Sequence, residues 1–249
     1  MDILYIVVPC YNEADCLPQT APVFRKKLQE LIEGGKIDPQ SRVLLVNDGS
    51  ADGTWELIKS LHEGDEHFAG LSLCPNRGHQ NAVMAGLMES RERADVTITI
   101  DCDLQDDIHA IDEMVDKHLN GAHIVCGVRN SRATDTFLKR FTARAYYALM
   151  NLFGAKLVFD HADFRLMDRE ALNRLARYHG DDPFLRGLAT RLGLPLEKVV
   201  YDRAARELGE SKYTLKKMLK LAATGLACGR KKPEDTPRPA DPHIVERLF

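Results

Sequence analysis

Five short apolar runs, at 3–8, 42–46, 71–74, 96–100 and 123–127, are separated by segments with helical periodicity at about 17–32, 55–61, 82–92 and 108–119. Runs that stay apolar rather than alternating with polar residues suit strands buried on both faces, as in a parallel sheet. Strands alternating with helices at this spacing, joined by right-handed crossovers, predict one doubly wound, mostly parallel sheet flanked by helices. In such sheets ligands bind beyond the carboxyl ends of the strands. Those ends are where this sequence turns polar. The rule gathers 9–13, 48–52, 76–81, 101–105 and 129–132 onto one rim.

The fourth run ends in four carboxylates, Asp101, Asp103, Asp106 and Asp107. Asp101 and Asp103, one residue apart in an extended segment, point the same way and can hold a divalent cation between them. The Gln105 amide supplies a further neutral oxygen on that face. Oxygen ligands suit hard cations such as Mg²⁺ or Mn²⁺, which usually share their shell with substrate phosphates. The same acidity also suits a turn in which Asp106 or Asp107 caps the helix at 108–119. Neither GxGxxG nor GxxxxGK[ST] occurs, so the dinucleotide and P-loop fingerprints are both absent.

A length of 249 residues with 44% apolar content predicts one α/β domain and a tail. The net charge of −3 argues against nucleic-acid binding, which calls for a basic domain. The six cysteines are scattered, without a CxxC pair, and fit a reducing cytosol. No signal peptide and no apolar run long enough to span a bilayer are expected.

After residue 132 the alternation weakens. A long amphipathic helix is expected at 136–153, an acidic and basic cluster at 160–168, helices at 169–178 and 183–192, and a strand at 199–206. Lysines mixed with Leu and Met at 213–227 predict an amphipathic helix, suited either to anionic lipid or to packing on the core. The stretch 233–242 is rich in proline and charge, which predicts a flexible tail over 229–249. His79, His109 and His161 read as solvated or capping histidines, with no spacing for zinc.

The motifs VVPCYNE (7–13), VNDGSADGT (46–54), NRGHQNAVMAGL (76–87), TIDCDLQDD (99–107), GVRNSR (127–132), ADFRLMDREAL (162–172), FLRGL (184–188) and RAARELGESKY (203–213) follow one another in order. Together they resemble the inverting glycosyltransferases of family two with the GT-A fold. The similarity is to polyprenyl-phosphate glycosyltransferases related to dolichyl-phosphate mannose synthase. It covers about residues 3–221 and rests on the combination, since no single motif is specific.

By matching positions, the resemblance implies a GT-A domain at 1–228, with a nucleotide-sugar half at about 1–132 and an acceptor half at about 133–228. Pro9, Tyr11, Glu13, Asp48 and Asp101 would bind the donor, while Asp101, Asp103 and Gln105 would hold Mg²⁺ or Mn²⁺. Asp163 would be the catalytic base or acceptor-site carboxylate, although pairing with Arg165 would make it structural instead. Arg129, catalytic together with Asp163, would also hold the acceptor phosphate with Arg140, Arg206, Ser211 and Lys212. The implied reaction moves a hexose from a UDP-glucose-like donor or GDP-mannose to a polyprenyl phosphate. It would take place at the cytosolic membrane face, with the protein held peripherally or through a membrane-anchoring partner. Alternatives are a soluble or polysaccharide acceptor, or a catalytically silent tethering subunit. Two departures stand out: Ala162 where relatives often carry Gly, and GRKKPEDTPRPADP (229–242) where many continue into membrane-spanning segments.

Overall fold

The computed structural model describes residues 1–130, 161–180, 183–202 and 233–249. Its first half follows the expected alternation: β1 (Leu4–Cys10), α1 (Leu17–Glu33), β2 (Arg42–Asp48), α2 (Thr54–Gly64), β3 (Phe68–Leu73), α3 (His79–Arg91), β4 (Val96–Thr99), α4 (Ala110–Leu119) and β5 (Ile124–Arg129). Then come β6 (His161–Asp168), α5 (Arg169–Leu175), α6 (Leu185–Ala189), β7 (Leu196–Tyr201) and β8 (Ile244–Leu248).

These eight strands form one sheet in the order β7-β5-β6-β4-β1-β2-β3-β8. Strand β1 pairs in parallel with β2 and β4, as β2 does with β3 and β5 with β7. Alternate residues of β1 feed two cores. Leu4, Ile6 and Val8 meet α1 and α4 through Phe24, Leu28, Ile111 and Met114 on one face. On the other, Tyr5 and Val7 meet α3 through Ala82 and Ala85. Beyond them Met84 and Leu87 of α3 pack with α5 and α6.

Four local readings are corrected. The first strand runs past the apolar stretch 3–8 expected to form it: Pro9 does not stop β1 but lies within it, opposite Val46. The Val7 carbonyl accepts from Ile100 N at 3.1 Å. Pro9, two residues on, therefore faces the same side, past the end of the β4 ladder at Thr99, where its missing N–H has no partner to lose.

The second correction is the central one. The stretch read as a charged cluster is β6, antiparallel to both of its neighbours, β4 and β5. Ala162, Phe164 and Leu166 face one core, and Met167 faces the other. Third, the tail is not flexible throughout, because Ile244–Leu248 adds an antiparallel edge strand to β3. Trp55 Nε1 donates to Glu246 at 3.0 Å, Arg247 Nε reaches Glu89 at 3.1 Å, and the Arg93 guanidinium stacks 4.0 Å from the Phe249 ring. Fourth, the strand expected at 199–206 begins earlier, at Leu196, and ends at Tyr201, while the helix expected at 183–192 is only Leu185–Ala189. The amphipathic helices expected at 136–153 and 213–227 lie outside the described residues.

Among the described residues no helix is long and apolar enough to cross a membrane.

Helix α3 approaches the sheet closely because Gly86 has no side chain. A Cβ there would lie 2.5 Å from Val7 Cγ1 and 2.8 Å from Val46 Cγ2, both on short branched side chains. At an open helix position Gly→Ala gains about 1 kcal/mol. Here overpacking reverses the sign, and Gly86→Ala should lower unfolding stability by about 1–3 kcal/mol in urea denaturation.

Candidate active site

The carboxyl ends of β1, β2, β4 and β5 share one edge of the sheet. Because β6 runs the other way, its first residues arrive at that same edge. The reversal brings Asp163, from late in the chain, beside the loop that follows β4.

The loops that follow β1 and β2 are tied to one another. Asn12 adopts φ +53°; its amide donates to Ser50 Oγ at 3.0 Å and its Oδ1 accepts from Ala51 N at 2.9 Å. Glu13 N donates to Thr54 Oγ1 at 3.0 Å, and Ala14 N to Asp52 Oδ2 at 3.1 Å. Asp52 also accepts from the Thr54 hydroxyl and amide, and these bonds hold its carboxyl below the usual range against the opposing effect of burial. This loop-to-loop seam of Asn12, Ser50, Asp52 and Thr54 had no separate signal in the sequence.

Asp48 is buried, and its carboxylate accepts from Asn76 Nδ2 (3.0 Å), Arg77 N (2.7 Å) and Gly78 N (2.9 Å). Burial raises its pKa in spite of those bonds. Gly49 follows at φ +64°, where a Cβ would lie 2.6 Å from Asn76 N, so only glycine lets the two loops meet. Tyr11 is 41% exposed on the rim, and Pro9 and Glu13 are half-buried beside it.

The loop after β4 carries Asp101, Asp103 and Gln105. Asp103 Oδ1 accepts from Gln105 N at 3.2 Å, and Leu104 between them holds φ +49°, a left-handed conformation costly for a branched side chain. Gln105 is buried, whereas the Asp101 side chain is one-third exposed. Burial raises the Asp101 pKa; His79 opposes the rise, while the like charges of Asp163, Asp106 and Asp103 add to it. Such crowding of carboxylates is what a divalent cation relieves, and the oxygen-only set of Asp101, Asp103 and Gln105 fits a hard one.

Asp106 is not the helix cap. It is 2% exposed and is held by Arg129, whose Nη2 lies 3.1 Å from Oδ1, and by the Tyr201 hydroxyl donating at 2.7 Å. Nor does Asp107 occupy the cap position, which falls to His109, though its Oδ1 accepts from His109 N at 2.9 Å. Arg129 thus stands at the rim with its fork already engaged.

Asp163 finds its ion-pair partner in Arg186 rather than Arg165. Arg186 Nε and Nη2 each donate to a different carboxylate oxygen at 3.0 Å, and Gln80 Nε2 adds a bond at 3.2 Å. Gln80 in turn accepts from Leu185 N, fixing α6 to α3. Burial works to raise the Asp163 pKa, but Arg186 first and His79 next hold it well below the usual carboxylate range. Arg165 is buried in the sheet, with Nη1 donating to Leu185 O at 3.4 Å.

His79, read as a solvated or capping residue, stands between the two acidic centres. Its Nε2 lies 3.5 Å from Asp163 Oδ2 and 3.7 Å from Asp101 Oδ1. Burial would lower its pKa, yet the two carboxylates raise it to about 9. His79 and Arg186 are the site residues that sequence reasoning passed over. Both lie inside quoted motifs, NRGHQN and FLRGL, whose order was recognised without a role for either side chain. Arg140, Arg206, Ser211 and Lys212 lie outside the described residues.

Residues 5–176 match the model of Glycosyl transferase family 2. The chain belongs to that family. It is a glycosyltransferase, and the expected resemblance holds. An uncharacterized glycosyltransferase, YkoT, of Bacillus subtilis (strain 168) is 46% identical over 224 residues, covering 90% of this chain and 66% of the relative. The bactoprenol glucosyl transferase of Shigella phage SfV is 34% identical over 223 residues, covering 89% and 70%. The chain thus spans about two thirds of the length of these relatives. Among solved structures, glucosyl-3-phosphoglycerate synthase of Mycobacterium tuberculosis, in complex with Mn²⁺, UDP and glucosyl-3-phosphoglycerate, superposes with TM-score 0.61. Identity is 17%, and the match covers 91% of this chain and 78% of that one. Mannosyl-3-phosphoglycerate synthase of Rubrobacter xylanophilus gives 0.62 at 19% identity, covering 91% and 73%. These likenesses establish the GT-A fold.

A histidine whose pKa rises from 6.5 to about 9 on folding stabilises the protein fully below pH 6.5, and that stability is lost as pH climbs through 9. The melting temperature should therefore fall across this window. His79→Gln should flatten that slope; an unchanged slope in the variant would show that His79 does not carry the charge.

Proposed function

We propose that the protein transfers a hexose from a nucleoside-diphosphate sugar to a polyprenyl phosphate, with inversion, using a divalent cation at Asp101, Asp103 and Gln105. The observation that carries this reading is the Asp163–Arg186 pair set beside the carboxylates of the β4 loop. A chain 34% identical to a bactoprenol glucosyl transferase supports the lipid-phosphate acceptor. Mn²⁺ and UDP in a fold neighbour support the donor and the metal.

On this proposal residues 1–132 serve the donor and 133–228 the acceptor. Exposed Tyr11 offers a ring face to the base, with Pro9 and Glu13 beside it. Asp48 shapes the donor pocket chiefly through the 76–78 loop, since its oxygens already hold that loop. Asp101, Asp103 and Gln105 would hold the cation, Mg²⁺ or Mn²⁺, which would supply positive charge to the departing nucleoside diphosphate.

An acceptor phosphate oxygen forms the new bond to the anomeric carbon as the bond to the nucleoside diphosphate breaks. The second pKa of a phosphomonoester is about 6, so the acceptor is already largely ionised at neutral pH. No strong base is then needed. Asp163, deprotonated and clamped by Arg186, is poorly suited to be one; it orients the acceptor side of the centre. Arg186 and His79 add positive charge next to the reacting atoms. Arg129 contributes the guanidinium edge that its fork on Asp106 leaves over. Arg140, Arg206, Ser211 and Lys212 complete the acceptor-phosphate set, and the lysine-rich segment 213–227 holds the protein at the cytosolic membrane face.

Labelled UDP-glucose, UDP-N-acetylglucosamine and GDP-mannose, each with Mn²⁺ and a short polyprenyl phosphate, test the reaction. Label should enter the organic phase with one of the donors. Label left wholly in water, with the donor nonetheless bound, would overturn the lipid acceptor. Asp163→Asn should lower kcat by about 100-fold or more with little change in donor affinity, as expected for interactions made at the reacting centre. A pure affinity defect would move Asp163 out of it. Charge reversal at Lys216, Lys217 and Lys220 should release the protein from anionic liposomes, and persistent co-sedimentation would rule out electrostatic anchoring by this segment.

A further inference from the structure

The turn after β4 presents different chemistry on its two faces. Asp101 and Asp103 carry hard oxygen ligands, whereas Cys102 between them turns into the core, 4% exposed. There it meets Cys16, which precedes α1 and is 9% exposed, and Glu13 of the β1–α1 turn. One ligating atom from each of Glu13, Cys16 and Cys102 lies within 4.8 Å of the other two; among the described residues no other group of three or more His, Cys, Asp or Glu converges in this way. The Cys16 thiol donates to Cys102 O at 3.7 Å, and Cys102 Sγ lies 3.6 Å from Thr20 Oγ1. The thiols of Cys10 and Cys16 both contact that of Cys102. In contrast, Cys126 is equally buried but has the Arg165 guanidinium beside it, and Cys74 is exposed.

We infer that Glu13, Cys16 and Cys102 form a binding site for a soft divalent cation of the zinc class, separate from the oxygen site of Asp101, Asp103 and Gln105. A tetrahedral zinc with bonds of about 2.3 Å to sulfur and about 2.0–2.2 Å to oxygen separates its ligand atoms by about 3.5–3.8 Å. The present ligand atoms, all within 4.8 Å of one another, already stand close to that separation. Two sulfurs and one carboxylate favour zinc or cadmium over magnesium or manganese, which prefer oxygen alone. Three protein ligands leave a fourth position for water. A cation held there joins the start of α1 to the loop that carries Asp101 and Asp103. The site goes beyond the transfer reaction and shares only Glu13 with the residues proposed above for the donor.

Cobalt titration of the reduced, metal-stripped full chain reads the site directly, because thiolate ligands give near-ultraviolet charge-transfer absorption that oxygen ligands do not. The band should appear in the wild type and in Cys74→Ser. Cys16→Ser and Cys102→Ser should each weaken cobalt binding by more than roughly 100-fold, the upper end of what losing a mere outer-shell partner costs. Glu13→Gln, close in shape to the native residue, should weaken binding yet retain the band. A wild type without the band, or serine variants that bind as tightly as the wild type, would overturn the site. Should the serine variants fail to fold, X-ray absorption at the cadmium edge of the cadmium-loaded wild type decides. At least two sulfur neighbours are expected, and one or none would refute it.

Discussion

The pairing of Asp163 with Arg186 is the interaction on which the rest of the site depends. A buried carboxylate without a counter-charge would cost several kcal/mol or would take up a proton. The two-pronged guanidinium contact keeps it ionised and binds α6 to the first residues of β6. Gln80 and His79 connect the same carboxylate to the start of α3, and His79 connects it to Asp101. Three elements far apart in sequence are thus fixed around one charge. The antiparallel insertion of β6 is what makes the meeting possible, because a parallel strand would deliver Asp163 to the opposite edge.

Each acidic group on the rim is compensated by different means. Asp48 relies on loop amides, Asp52 on the Thr54 hydroxyl and backbone amides, Asp106 on Arg129 and the Tyr201 phenol, and Asp163 on Arg186. Burial raises the Asp101 pKa, and the like charges of Asp163, Asp106 and Asp103 add to the rise while His79 alone opposes it. Fixed compensation suits groups that hold shape. Incomplete compensation suits a group that receives a cation together with a charged ligand, since the ligand then completes the site. The strained Leu104 backbone falls within that same loop.

Much of this was legible in the chain. The first five strands and four helices follow from continuous apolar runs and helical periodicity, and the polar clusters at strand ends located the rim before any coordinates. Asp101, Asp103 and Asp163 were singled out on chemistry and motif order. What escaped has physical reasons. Strand β6 alternates Ala162, Phe164 and Leu166 with Asp163 and Arg165, so it lacks the continuous apolar run that marks the other buried strands, and its charges draw attention away from the period-two pattern. Strand β8 is a short, partly exposed edge strand held by Trp55, Glu89 and Arg93, none of them near it in sequence. His79 looked like a solvated residue because its meaning comes from two carboxylates that lie 22 and 84 positions away along the chain.

The central claim is that the β4 loop is built to take a hard divalent cation together with a nucleotide. Electron paramagnetic resonance of Mn²⁺ tests it most directly, since bound ion disappears from the spectrum of free Mn²⁺. With UDP present, the wild type should take up Mn²⁺ and Asp103→Ala should leave it free in solution. Equal uptake by the two proteins would contradict the account.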